Sequence, residues 1–463
     1  MTLARPILTP WRHVAAACAT AVVCTQALAQ MPAPMLPPGA QASACPALQA
    51  ADLMQLTLPM ALDHALCANP SMRQAMATIA ERQAGVDLAQ TGYRPRVNAG
   101  ASVTASRTAG PSSSGSSAQN MAGSLGLSWV LFDFGLRDAT LAQSRAQLSG
   151  AMANLSNTQL NAVGETLRLY VDALTVWLRL DSLRQAELVA EQSLRAASAK
   201  YDVQVGSLAE KLQAQTALAQ TTLDRVRANG QWETARAALA VHMGYGITQR
   251  MGMPGLDTAV PFVEAATNIG DMLTYVREQH PRLRALQADV EAQRLRGDVV
   301  TAEGRGSVSV NANAQLARPL NLGGGGFERS VGAGVVANIP LFNREEQDAR
   351  LAQNTAQTDN RISQVEAARR ELETELLRQV LTVQTEIETR LAARALLQSA
   401  ELNHQVALGR YRGGVGTIVD LLNAQAALSG ARLALDQSYL AQASARLRLA
   451  TVVGRLPGSY PAK

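Results

Sequence analysis

Residues 411–428, YRGGVGTIVDLLNAQAAL, repeat at 8 of 18 positions a stretch found 210 residues earlier, YDVQVGSLAEKLQAQTAL at 201–218. The offset returns elsewhere. Phe132 in WVLFDFG matches Phe342 in IPLFNRE, and Met243-Gly244 matches Val453-Gly454, each pair 210 apart; Asn69-Pro70 matches His280-Pro281 at 211. Four landmarks in one order at one spacing are an internal duplication. The period far exceeds the ~20–50 residues of solenoid repeats. The chain therefore builds two similar halves, residues 60–245 and 271–456, with a linker at 246–270 and a short tail at 457–463.

The N-terminus sets the compartment. Arg5 and Arg12 precede an apolar stretch that begins at Val14, and Ala27-Leu28-Ala29 fits a small-residue cleavage site, so residues 1–29 read as a secretory signal peptide. Cys24 would suit a lipid-anchored alternative, but Val22-Val23 stand where that processing favours a small residue. Removing Arg5 and Arg12 takes the net charge from +5 to 5 − 2 = +3. That weak balance, without Lys/Arg clusters among aromatics, argues against a nucleic-acid partner. Residues 30–59 form a Pro-rich N-terminal segment. Cys45 and Cys67 survive processing and, in an oxidising compartment, are a candidate disulfide, with two free thiols as the alternative.

Within each half the periodicity changes. A helix fits about 60–92. Val97, Ala99, Ala101, Val103 and Ala105 then alternate with polar or small residues, as do Leu125, Leu127, Trp129 and Leu131. In the second half Val308, Val310, Ala312, Ala314 and Leu316 alternate with Ser, Asn and Gln, and Val331, Ala333, Val335, Ala337, Ile339 and Leu341 continue the pattern. Period two predicts strands at about 96–106, 123–131, 306–317 and 331–341, joined by the Gly/Ser-rich stretches GPSSSGSSAQN and RPLNLGGGGFER. About ten residues is the length of a tilted membrane-spanning strand; a soluble hairpin on a core is the alternative. No run after the signal is long enough for a membrane helix.

Long helices occupy the rest. Leu421, Leu428 and Leu435 are seven apart, as on a coiled-coil seam. Asn343 followed by Glu346 resembles a capping box. Aromatic residues make up only 4% of the chain, which suits close helix packing better than a globular core. The duplicated stretches fall between long helices, near 201–210 and 411–420, and mark two hairpin tips. Gly206 and Gly416 are expected to supply backbone freedom for the turn, and Ser207 and Thr417 to cap the next helix. Glu210 and Asp420 follow four residues after each glycine. Helix-dipole complementation accounts for such acids in one protomer; repeated around a symmetry axis they would form a charged ring. His13, His64, His242, His280 and His404 are scattered without metal spacing, and LGGGGF lacks the Lys-Ser/Thr of a phosphate loop. No enzyme activity, metal site or cofactor is expected.

The paired Y-x-x-x-V-G-[ST] tips, the LFDFG and PLFN corners and the N-P/H-P helix starts together resemble the TolC family of outer-membrane efflux and secretion channels, over nearly all of 60–456. The resemblance implies a membrane α+β fold: duplicated helix–hairpin–helix halves that, as a homotrimer, form one shared 12-stranded outer-membrane β-barrel and a long periplasmic α-helical barrel. It implies an exit duct for small molecules or polypeptides in a tripartite efflux pump or type I secretion system. The partners would be outer-membrane lipid, a periplasmic adaptor (membrane fusion) protein and an inner-membrane pump or ABC exporter. An exported structural coiled-coil protein without a pore is the alternative. By the same resemblance Asp420 is a pore-facing gate acid, and the second acid of the family falls on Asn423. Tyr411 and Glu210 match positions that hold the closed state. The basic partner of that lock falls on Gly416, so Arg410 or Arg412 would have to substitute. Val205, Gly206, Ser207, Val415, Gly416 and Thr417 would meet the adaptor.

Overall fold

The structure is a computed structural model that describes residues 48–110, 113–255, 268–319 and 326–454, all within one compact unit, Cys45–Lys463. The signal peptide, Cys45 and the 457–463 tail lie outside the described residues. A short helix α1 (Ala50–Met54) precedes two runs of the same six elements. The first run is α2 (Leu58–Ala68), α3 (Pro70–Thr91), β1 (Arg96–Gly110), β2 (Ser113–Phe132), α4 (Leu136–Asp202) and α5 (Leu208–His242). The second is α6 (Ile269–Gln279), α7 (Pro281–Glu303), β3 (Ser307–Pro319), β4 (Glu328–Asn338), α8 (Arg344–Arg412) and α9 (Ile418–Val453).

Several expectations are corrected. The helix expected over 60–92 is two helices, because Pro70 lacks an amide donor and holds Asn69 extended (φ −63°, ψ 124°), from where its side chain caps α3. The GPSSSGSSAQN stretch is not a long loop. β1 runs to Gly110 and β2 starts at Ser113, since ladder hydrogen bonds belong to the backbone and need no apolar side chains. β4 starts and stops three residues early, before Pro340, which cannot donate to a ladder. Asn343 makes no side-chain cap; its φ of −128° and ψ of 18° are not those of a capping residue, and Glu346 pairs with Arg350 instead. The start of the 246–270 linker is a buried strap: Met251 and Met253 are buried, and Gly252 exchanges backbone hydrogen bonds with Leu53 and Leu56. Cys67 is disulfide-bonded.

The four strands form one antiparallel meander, β1-β2-β3-β4. The register puts unlike side chains on opposite faces. Val97, Leu127, Ala312 and Ala333 lie in one row, and Ala99, Leu125, Ala314 and Val331 in the next. On the other face Asn98, Gly126, Asn313 and Gly332 share a row. Val310 and Ala312 thus share the apolar face, and Asn311 the polar one. The apolar face is bare: Val331 is 85% exposed and Val97 70%. Phe132, Phe134 and Phe342 crowd the strand-to-helix corners, and Phe327 stands at the other end of the sheet. No helix among the described residues is long and apolar enough to cross a membrane.

At 67 and 69 residues, α4 and α8 are each about 100 Å long. They are braced where α1, α2 and the 251–253 strap pack on the first, burying Leu56, Leu58, Tyr170, Leu174 and Met243, and where α6 packs on the second, burying Val276, Leu376 and Val453. Each fully buried aliphatic side chain contributes about 1.5–3 kcal/mol. The Tyr170 hydroxyl donates to the Leu56 carbonyl at 2.8 Å. α5 packs on α4 and α9 on α8, and α9 meets α4 within the first brace through Leu440, Ala443 and Leu447. Leu421 and Leu428 are buried in the α8–α9 seam and Leu435 half-buried, as their spacing foretold.

His280 stands where Asn69 stands in the first half, and its Nδ1 accepts from the Arg282 amide at 3.1 Å. Burial, aided by Arg282, pushes its pKa down to about 4. The fold therefore favours neutral His280, and its contribution is present above the ordinary pKa of 6.5 and lost as pH falls toward 4. His280→Asn keeps a cap without the titration. Chemical denaturation between pH 7 and 4 should show the variant losing less stability than the wild type, by on the order of 2 kcal/mol; parallel curves would contradict this.

Candidate functional site

The two hairpin tips are built alike. The Lys200 carbonyl accepts from the Val205 and Gly206 amides at 3.0 and 2.9 Å, and the Arg410 carbonyl from Val415 and Gly416, both at 3.0 Å. The left-handed residues are Gln204 (φ 61°) and Gly414 (φ 75°), again 210 apart. Backbone freedom is thus spent two residues before the repeated glycines. Gly206 and Gly416 are required for a different reason: a Cβ there would lie 2.9 Å from Lys200 Cβ or 3.0 Å from Arg410 Cβ. The chain turns so tightly onto the preceding helix that no side chain fits. Gln204 in the left-handed region costs about 1–2 kcal/mol.

Ser207 Oγ accepts from the Glu210 amide at 3.2 Å, capping α5. Thr417 and Asp420 form a full capping box on α9: Thr417 Oγ1 accepts from the Asp420 amide at 3.1 Å, and the Asp420 carboxylate accepts from the Thr417 hydroxyl at 2.8 Å and its amide at 3.3 Å. The hydroxyl hydrogen bond is the main reason the Asp420 pKa lies below its ordinary value, followed by the backbone bond; the charge of Arg410 adds to both. Asp420 and Asn423 are exposed, while Ile418, Leu421 and Ala424 of the same helix are buried. Val205 and Val415 project from the turns, 80% and 73% exposed.

One contact ties the two hairpins together at the tips. The Lys200 ammonium, from the end of α4, stands 3.7 Å from the ring centroid of Tyr411 at the end of α8. Tyr411 is buried against Ile418 and Leu421, and its hydroxyl has no hydrogen-bond partner among the described residues. Glu210 makes no ion pair among the described residues, and neither Arg410 nor Arg412 approaches it closely enough to form one. The cation at Tyr411 is therefore Lys200. The sequence holds a trace of it: a basic residue precedes each repeated tyrosine, Lys200-Tyr201 and Arg410-Tyr411. Which cation meets which ring depends on how the hairpins pack. In the first hairpin Lys211 lies 4.0 Å from Asp202 and over the Tyr201 ring at 5.1 Å. Among the described residues no group of three or more His, Cys, Asp or Glu could hold a metal.

A family model described as outer membrane efflux protein matches residues 61–245 and 273–455. Protein CyaE of Bordetella pertussis is 28% identical over 416 residues, covering 86% of this chain and 85% of the relative. Outer membrane efflux protein BepC of Brucella suis is 22% identical, covering 86% of each chain. The Campylobacter jejuni CmeC outer membrane channel superposes with a TM-score of 0.73 at 18% identity, covering 87% of both chains.

The cation–π contact yields a specific expectation. Nitroxide labels at Val205 and Val415 report the separation of the two tips. Lys200→Met removes the charge but keeps much of the stem, and should broaden and lengthen that distance distribution. Tyr411→Phe should leave it narrow, since the hydroxyl bonds to none of the described residues. A broadened Tyr411→Phe distribution beside an unchanged Lys200→Met one would contradict the contact's role.

Proposed function

The chain belongs to the outer membrane efflux protein family, and from that premise we propose that three copies close into one channel-tunnel serving a tripartite efflux pump or a type I secretion system. The protein is an outer-membrane exit duct with a large periplasmic helical part. The observation that carries the three-copy reading is the pair of open edges. Among the described residues β1 and β4 each lack a neighbour on one side, on a sheet whose apolar face is bare. Lipid tolerates such a sheet only if it closes. Two copies would give about eight strands, whose interior side chains fill; three is the smallest number that leaves a lumen. An unpaired edge and an 85% exposed Val331 also disfavour a pore-free coiled coil.

The helices end in matching edges. On α5 Leu212, Leu223 and Val226 are exposed, and on α8 Leu391, Leu396, Leu402 and Val406 are exposed. Leu223 lies 223 − 208 = 15 residues above its tip and Leu396 lies 412 − 396 = 16 above the other, the same height of roughly 23 Å. Contact of α5 in one copy with α8 in the next is head-to-tail, the kind that closes rings. The valine-tipped turns, with Val205, Gly206, Ser207, Val415, Gly416 and Thr417, would be the adaptor's landing points, above an inner-membrane pump or ABC exporter. Asp420, threefold repeated, would ring the narrow periplasmic end with Asn423 beside it. Glu210 and Tyr411 would stand behind that ring, where the Lys200 contact holds each copy's hairpins together. Cys45 is the proposed partner of Cys67.

Leu223→Cys combined with Leu396→Cys, oxidised in the membrane, should give a covalent ladder ending at three copies; monomers alone would overturn the arrangement. Asp420→Asn should reduce cation preference in planar bilayers and relieve block by multivalent cations from the periplasmic side, while Glu210→Gln changes selectivity less. If Asp420→Asn lowers only thermal stability, the residue is a cap and nothing more.

A further inference from the structure

The polar face of the sheet is nearly free of charge, and its two charged residues, of opposite sign, stand in rows far apart along the strands. From the helices outward this face reads Ser307 and Asn338; Val130, Ser309 and Val336; then Arg96, where β1 begins, with Ser128, Asn311 and Gly334; then Asn98, Gly126, Asn313 and Gly332; then Gly100, Ser124, Gln315 and Ser330; then Ser102, Ala122, Ala317 and Glu328. Arg96 and Glu328 are the ionisable residues of these rows. Six residues along the strand separate their rows, about 20 Å. Arg318 and Arg329 belong to the apolar face, and Arg318 lies over Phe327.

We infer that Arg96, repeated by the symmetry of the ring, forms an anion-retaining collar where the helical tunnel opens into the barrel, and that it favours passage of cargo bearing carboxylates or phosphates. The inference rests on the proposed closure of the sheet around its polar face. Three observations support it. Arg96 is exposed, and its row-mates Ser128, Asn311 and Gly334 are short, so the guanidinium reaches further toward the axis than anything beside it. Arg96 makes no ion pair among the described residues. The acids at the junction are engaged elsewhere: Asp133 with Arg137, Asp138 with the Tyr93 hydroxyl, Glu303 with Arg296 and Arg350, and Glu346 with Arg350. Glu345 and Asp348 remain on the first turns of α8, where the helix dipole favours them, and Asp298 remains on the last turns of α7. The second half carries no arginine at the matching strand start, since β3 opens with Ser307. The collar therefore has one guanidinium per copy, a weak site for a single ion. A polyanion that meets all of them together is held far better.

The test uses the assembled wild-type channel in planar bilayers, with a short oligoglutamate added on the outer side, so that the probe enters the barrel without passing the tips. It should block wild type. Arg96→Gln should weaken that block about tenfold, a change of roughly 1.4 kcal/mol, and Arg96→Glu should replace it with block by oligolysine. Arg329→Gln, on the apolar face, is the control and should leave block unchanged. Conducting channels whose oligoglutamate block is the same in wild type, Arg96→Gln and Arg96→Glu would overturn the collar. So would Arg96 variants that lower membrane insertion but keep the block, which would make Arg96 an interfacial anchor. Absence of any wild-type conductance would instead overturn the proposed channel itself.

Discussion

A β-sheet with an apolar face and two unpaired edges is the constraint on which the rest of this protein depends. In water the bare Val, Leu and Ala rows would aggregate; in lipid they are at home, but the unpaired amides and carbonyls of β1 and β4 are not. Only closure meets both demands, and one chain has too few strands to close alone. The helices inherit the requirement. β1 continues from α3 and β4 leads into α8, so whatever pairs the sheet edges also brings α8 of one copy beside the first half of another. The exposed apolar residues of α5 and α8 stand at the matching heights that the proposed contact between copies needs.

The duplication solves a second problem, that of ending a tunnel. Each half turns at its far end by the same backbone geometry, with a left-handed residue followed by a glycine pressed against the helix just left. Equality stops at the side chains. The first tip offers Lys200, Tyr201 and Glu210 where the second offers Arg410, Tyr411 and Asp420. At the tips, among the described residues, the cation that meets a buried aromatic ring does so across the two hairpins, Lys200 on Tyr411. A contact that joins unlike members of a duplicated pair can be broken without unfolding either hairpin, which suits the gate proposed for these tips.

Much of this was legible in the residues. The repeat at 210, the period-two strands and the capping Ser207 and Thr417 lead directly to the observed elements, because local patterns dictate local structure. What misled was chemistry that side chains do not advertise. The Gly/Ser stretch past Gly110 extends as strand through backbone bonds alone. Asn69-Pro70 looked internal to a helix until the proline's missing donor is counted. A conspicuous glycine at 206 or 416 could serve either backbone freedom or close approach, and only the three-dimensional path distinguishes them. Lys200 could be flagged by its place before a repeated tyrosine but not paired, because its ring comes from the other half. The strap at 251–253 lies in what reads as linker and gains its role from Leu53 and Leu56.

Closure of the sheet is the central claim, and amide hydrogen exchange tests it at the edges themselves. For protein reconstituted in lipid, the amides of β1 from Val97 to Val103 and of β4 from Val331 to Val335 should be protected as strongly as those of the inner strands β2 and β3. Rapid exchange confined to β1 and β4, with β2 and β3 protected, would mean that the edges remain open in the membrane, and would contradict the account.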